Sequence, residues 1–138
     1  MICSNLEIRD NVLFFGGKST VELSRKYGSP IYVMDEVTIR KNCRKYLDAM
    51  NKYFDGNAKA FYASKACSFK KMYDIVGSEG MCADVVSVGE IYTAKSAGFP
   101  MEKLCFHSNS KNDFNINFAI ENGVGCFAVD NLEELESI

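Results

Sequence analysis

The feature that most constrains this chain is a beat of short, β-rich runs. Lys59–Ala63, Cys82–Val86, Lys103–His107 and Cys126–Val129 begin 23, 21 and 23 residues apart, and each is followed by a stretch with helical punctuation. Ser87-x-x-Glu90 opens the second such stretch and Gly98 closes it, while Asp130-x-x-Glu133 opens the fourth. Strands alternating with helices require a parallel sheet covered by helices through right-handed crossovers. Units of this length suit either an open doubly wound sheet or a barrel, and a complete eight-unit barrel needs about 250 residues. With 138 residues and four units, the expected fold is α/β, the first half of a (β/α)8 barrel. The last residues, Glu133-Glu134-Leu135-Glu136-Ser137-Ile138, read as the opening turns of a helix with no C-cap, so the sequence is expected to be a truncation.

Upstream of the alternation the pattern differs. Asn11 to Gly17 reads as an extended lead-in, and Ser19-x-x-Glu22 as a capping box whose helix ends at Gly28 and Pro30. Ile31-Tyr32-Val33-Met34 is a short β-rich run. Asp35 then caps a long helix whose apolar positions Ile39, Cys43, Leu47, Met50 and Phe54 follow one helical face until Asp55-Gly56-Asn57. The chain therefore divides into a lead-in, residues 1–34, and a partial barrel, residues 35–138.

Lys plus Arg is 16 and Asp plus Glu is 18, a net charge of -2, which gives no polyelectrolyte signal for nucleic acid. A composition 47% hydrophobic and 25% charged, with two prolines, fits a chain that folds around a core. The six cysteines contain no C-x-x-C pair, so neither a zinc site nor thioredoxin-like chemistry is expected, and no metal site is assigned. Cys67, Cys82, Cys105 and Cys126 fall in or beside the strands and read as small packing thiols. No stretch approaches the roughly 18 apolar residues of a membrane span, and a reducing cytoplasm is the default compartment.

In either architecture, ligands bind at the C-terminal ends of the strands, where the loops converge. The residues there are Ser64-Lys65, Asp84 with Ser87, His107-Ser108-Asn109 and Asp130-Asn131. Lys65 directly follows Ala60-Phe61-Tyr62-Ala63, where strand walls and helices are expected to limit water. Partial desolvation makes the neutral, nucleophilic amine available. A plain loop lysine is the alternative, and position alone leaves both open. Ser87-x-x-Glu90 is equally sound as a capping box, and Glu133, Glu134 and Glu136 read as a solvated helix face.

Phe61-Tyr62-Ala63-Ser64-Lys65-Ala66 resembles the Y-A-x-K-A motif of the fold type III pyridoxal-phosphate decarboxylases. The likeness runs along nearly the whole chain. Phe15-Gly16-Gly17, Glu22-Leu23 and Tyr27-Gly28-Ser29-Pro30-Ile31-Tyr32-Val33 look like the lead-in of the diaminopimelate branch of that family. Ala83-Asp84-Val85-Val86-Ser87-Val88-Gly89-Glu90-Ile91 is similar to its D-V-x-S-x-G-E-L segment, and Phe106-His107-Ser108-Asn109-Ser110-Lys111 to F-H-G-N-x-K. Val129-Asp130-Asn131 with Glu133-Glu134-Leu135 is similar to V-D-S-x-E-E-L. Ser29, Val88 and Ser108, and Ser64 and Cys67 beside the lysine, depart from the usual residues without removing a reactive group.

The resemblance implies that Lys65 carries pyridoxal 5'-phosphate, with Ala63, Asp84 and His107 beside the cofactor and Glu90 as a further acidic candidate. Asp84 would hold the displaced Lys65 amine as an ammonium. His107, the chain's only histidine, would not be the family's stacking histidine, which comes later along with the phosphate loop, an arginine and the glutamate on the ring nitrogen. The implied activity is decarboxylation of meso-diaminopimelate to L-lysine. Ornithine or arginine decarboxylation, and a non-catalytic truncated relative, are the alternatives. The implied partners are a small amino-acid substrate, neither nucleic acid nor membrane, and a second copy in a homodimer. A C-terminal β domain would pack with the lead-in.

Overall fold

The computed structural model describes residues 3–138, which divide into two units with the boundary between Lys41 and Asn42. In the first unit, β1 (Leu6–Arg9), β2 (Val12–Phe15) and β3 (Lys18–Ser19) form an antiparallel sheet in that order. Asp10 and Asn11 turn β1 into β2 with φ of 47° and 60°, and Gly16 and Gly17 turn β2 into β3 with φ of 54° and 75°. Two successive residues at positive φ give the turn whose twist matches paired strands. The segment expected as an extended lead-in is thus a three-stranded meander.

Ser19 caps α1 (Thr20–Tyr27) by accepting the Glu22 N–H at 3.3 Å, as expected, and the helix stops at Gly28, which sits at φ 87°. Ile31–Met34 is not a strand, and all four residues are exposed. A β-rich run becomes a strand only when a neighbour supplies ladder partners, and none does so among the described residues. Asp35 does cap α2 (Glu36–Phe54): its Oδ1 accepts from the Val37 and Thr38 N–H groups at 3.1 and 3.3 Å. Its Oδ2 takes the Thr38 hydroxyl at 2.5 Å and the Asn5 amide at 3.1 Å. Those bonds, Thr38's first, hold the Asp35 carboxyl below its ordinary value. Along the expected apolar stripe of α2, Cys43 is buried and Phe54 is exposed.

The second unit carries the alternation. β4 (Phe61–Ala63), β5 (Cys82–Val85), β6 (Leu104–His107) and β7 (Cys126–Ala128) pair in parallel in chain order. The helices α3 (Lys70–Ser78), α4 (Val88–Ser96), α5 (Asp113–Glu121) and α6 (Leu132–Ser137) follow them in turn. Side chains alternate across a strand. Ala83, Val85, Leu104 and Phe106 point to the helical side and are at most 1% exposed, in one core with Tyr73, Val76, Ile91, Ala94, Ile116 and Ala119. Tyr73 meets Phe99 edge-on, with ring centroids 5.8 Å apart. Phe61, Ala63, Asp84, Cys105, His107 and Cys126 alternate to the opposite, more open face.

At the base of the sheet, Gly125 donates its N–H to the Met101 carbonyl at 3.2 Å. Its backbone passes so near Glu102 that an added Cβ would stand 2.0 Å from the Glu102 carbonyl oxygen.

Several expectations are corrected here. α6 is capped by Asn131, whose Oδ1 accepts the Glu134 N–H at 2.8 Å, not by Asp130, whose own N–H is taken up by Glu134 Oε2 at 3.3 Å. Glu134 is no part of a solvated face: it is buried and paired with Lys111 at 2.8 Å. Cys82 is buried and Cys105 half-buried, but Cys126, on the open face, is exposed. Cys105 and Cys126 are register partners, and burial, together with the hydrogen bond between the Cys105 thiol and Cys126, pushes the Cys105 thiol up to about 12. No helix among the described residues is long and apolar enough to cross a membrane.

Candidate active site

The C-terminal rim of the parallel sheet gathers the chemistry. Phe61, Ala63, Asp84, Cys105 and His107 line one open cavity of about 250 Å³. They reach it from β4, β5 and β6 because the pairs Ala63↔Asp84 and Asp84↔Cys105 keep inward side chains level across the sheet. His107 Nδ1 stands 3.6 Å from Asp84 Oδ1, with the imidazole half-exposed and the carboxylate largely covered. A carboxylate beside an imidazole can hold or move a proton at the mouth of such a cavity.

Lys65 occupies the single 3-10 turn Ser64–Ala66 that leaves β4, two residues past Ala63. Its side chain is exposed, and the water-limited surroundings expected for it are not formed among the described residues. The turn itself is tightly held. Ser64 is fully buried, and its hydroxyl lies 2.7 Å from the Asp84 carbonyl and 2.8 Å from Glu90 Oε2. The Cys67 N–H returns to the Ser64 carbonyl at 3.0 Å, and the Cys67 carbonyl accepts the Tyr62 hydroxyl at 2.8 Å. Burial pushes the Tyr62 phenol up to about 12, so it is a permanent donor there. Tyr73, wholly buried, shares a hydrogen bond with Ser68 at 3.2 Å. The lysine therefore rides on a rigid pedestal while its own chain is free to reach.

Glu90 lies behind this pedestal, outside the cavity. Ser87 caps α4 by accepting the Glu90 N–H at 3.3 Å, but the return half of the capping box is not made. The Glu90 carboxylate instead accepts the Val86 N–H at 2.6 Å and meets Ser64, since the buried hydroxyl draws it one residue further toward the sheet. Sequence reasoning put Ala63, Asp84 and His107 beside Lys65; the structure brings the first three together along the cavity and leaves Lys65, two residues past Ala63, outside its lining. That reasoning missed Ser64 as the anchor and Tyr62 and Tyr73 as supports, because serine and tyrosine near a strand end carry no signal of burial.

The parts fit a pyridoxal group. Ala63 and Cys105 are small, Phe61 adds an aromatic wall, the exposed Lys65 sits in the turn that follows Ala63, and a carboxylate and an imidazole are at hand to hold protons. Residues 37–138 match the family described as pyridoxal-dependent decarboxylase, pyridoxal binding domain. A curated diaminopimelate decarboxylase of Bacillus methanolicus is 43% identical over 126 residues, 91% of this chain and 29% of that protein. The crystal structure of diaminopimelate decarboxylase from Methanocaldococcus jannaschii in co-complex with L-lysine superposes with a TM-score of 0.88 at 36% identity, covering 98% of this chain and 32% of that one. A lysine/ornithine decarboxylase from Vibrio vulnificus complexed with putrescine superposes at 0.73 with 28% identity, over 85% of this chain and 31% of that one. The chain spans 28 to 30% of the length of the curated relatives it matches. With strands, lysine turn and cavity arranged in this way, and with the match running from residue 37 to residue 138, the chain belongs to the pyridoxal-binding domain family of the pyridoxal-dependent decarboxylases.

Proposed function

We propose that this chain supplies the cofactor lysine and one part of the barrel wall of an enzyme that decarboxylates meso-diaminopimelate to L-lysine. The observation that carries the reading is the clamped Ser64–Ala66 turn, which holds Lys65 at the C-terminal rim beside the cavity of Ala63, Asp84 and His107. Bound pyridoxal phosphate supplies an electron sink for the pair released with carbon dioxide. Lys65 presents the amine that holds the cofactor and yields to the substrate's amine. Asp84 holds a proton at the freed Lys65 Nζ, and His107, paired with Asp84, keeps that carboxylate aimed at the rim. Glu90 acts through Ser64, fixing the turn.

Identity of 43% and 36% to diaminopimelate decarboxylases, against 28% to the lysine/ornithine enzyme, supports the substrate. In this reading the enzyme is a cytoplasmic homodimer, residues 1–34 serve as lead-in to a later β domain, and residues 35–138 belong to the barrel. The test uses the protein encoded by the complete reading frame. Reduction with borohydride should fix the cofactor on the peptide that contains Ala63-Ser64-Lys65-Ala66, and Lys65→Ala should abolish both the label and diaminopimelate turnover. A label on any other lysine overturns the site. Turnover of ornithine or arginine without diaminopimelate overturns the substrate.

A further inference from the structure

We propose that Lys111 is a positioning residue of the site: its buried ammonium, tied to Glu134, braces the two strand ends on either side of His107. The Lys111 side chain has no exposure at all. Its Nζ donates to the Ala128 carbonyl at 2.9 Å and to the Ser108 carbonyl, and it forms an ion pair with Glu134 Oε1 at 2.8 Å. Glu134 Oε2 also accepts the Asp130 N–H.

The location gives these bonds their meaning. Ala128 is the register partner of His107, in the last rung of the β6–β7 ladder, and Ser108 is the residue after His107. Where two strands part, their next carbonyls lose ladder partners and must find others. Lys111 supplies that missing rung with a cation.

The same device holds the lysine end. Ala63↔Asp84 is the last rung between β4 and β5, Ser64 is the next residue, and its hydroxyl meets both the Asp84 carbonyl and Glu90. Glu90 and Glu134 stand 44 residues apart, each six residues after the braced carbonyl. Each accepts the N–H just before its own helix cap, Val86 in one case and Asp130 in the other. Lys111 thus does for His107 what Ser64 does for Lys65.

The proposal rests on the decarboxylase reading for its activity arm alone. Removing one member of a buried ion pair threatens folding, whereas replacing both by apolar side chains is often tolerated. The decisive variant is therefore the double change Lys111→Met with Glu134→Met in the full-length protein, compared with the unchanged protein. Expected are retained cooperative melting and a retained borohydride label on Lys65, with amide exchange about tenfold faster in residues 105–112 and 126–131 only. Diaminopimelate kcat/KM should fall by about tenfold or more, mainly in kcat, because misplacement near a site costs the transition state more than binding.

Unchanged local exchange with unchanged kcat/KM overturns the brace, as does exchange that rises uniformly along the chain. Should the double variant not fold, acetic anhydride on the unchanged protein decides: Lys111 should be acetylated only as fast as the fold opens, and reaction as quick as that of the exposed Lys95 overturns the proposal. A missing Lys65 label in the unchanged protein would strike the decarboxylase reading and leave the exchange arm standing.

Discussion

Gly125→Ala tests the packing at the base of the sheet. The new Cβ would lie 2.0 Å from the Glu102 carbonyl oxygen and 2.6 Å from its carbonyl carbon. Carbon and oxygen without a bond between them approach to about 3.3 Å, so the two backbones must part by about 1.3 Å. The Gly125 N–H to Met101 carbonyl bond, already 3.2 Å long, does not survive that shift. Its loss costs about 1 kcal/mol, and overpacking against a backbone that cannot swing aside adds about 1 to 3. The variant should therefore lose about 2 to 4 kcal/mol in urea unfolding followed by circular dichroism. Gly123→Ala is the control. It sits at φ 74° with only the Met101 Cβ at 4.0 Å, so its cost is the left-handed strain of about 1 kcal/mol. Because Gly125 precedes β7 at the end of the sheet opposite Lys65, the borohydride label on Lys65 should be untouched wherever the variant is folded. A loss under about 1 kcal/mol, or no difference from Gly123→Ala, would refute the close-contact argument.

Acid should find Glu134. Its carboxyl is held below the ordinary 4.5 first by the hydrogen bond with Lys111 and also by the Asp130 N–H, against the opposing effect of burial. A depressed folded-state value means a contribution that is whole above the unfolded value and fades as pH falls through the folded one. Glu134→Gln should accordingly flatten the stability curve below 4.5, read by denaturant titrations at successive pH, and parallel acid limbs would sink the idea. In the core, Leu104→Ala should cost about 2 to 5 kcal/mol, since the side chain is 1% exposed between sheet and helices. Leu135→Ala on the exposed side of α6 should stay within about 0.5 kcal/mol, and equal losses at the two positions would contradict the assignment of faces.

Local chemistry was legible where it is local. The β-run spacing placed all four parallel strands, and Ser19, Asp35 and Ser87 cap their helices as their side chains suggest, since a cap needs only the next turn of its own chain. The meander was legible in principle, because Asp10-Asn11 and Gly16-Gly17 are turn pairs, but flanking runs of only four residues look like loop. Ile31–Met34 misled for the opposite reason: its residues favour a strand that no neighbour among the described residues completes. At the site, Asp84 and His107 stood among the strand-end residues, and Ala63 joined them only through the family resemblance. The roles of Ser64, Glu90, Lys111 and Glu134 did not. Each depends on a partner 20 or more residues away, and a glutamate that braces a neighbouring loop is spelled like one that faces water.

The rim stiffens in pairs. Ser64 with Glu90 locks β4 to β5, and Lys111 with Glu134 locks β6 to β7, while among the described residues no hydrogen-bonded side chain does the same between β5 and β6. The four strand ends therefore form two braced pairs, joined to each other by the backbone ladder Ala83↔Leu104, Asp84↔Cys105 and Val85↔Phe106. Asp84 belongs to one pair and His107 to the other, with 3.6 Å between them. A ligand seated between Asp84 and His107 would touch both braced pairs at once.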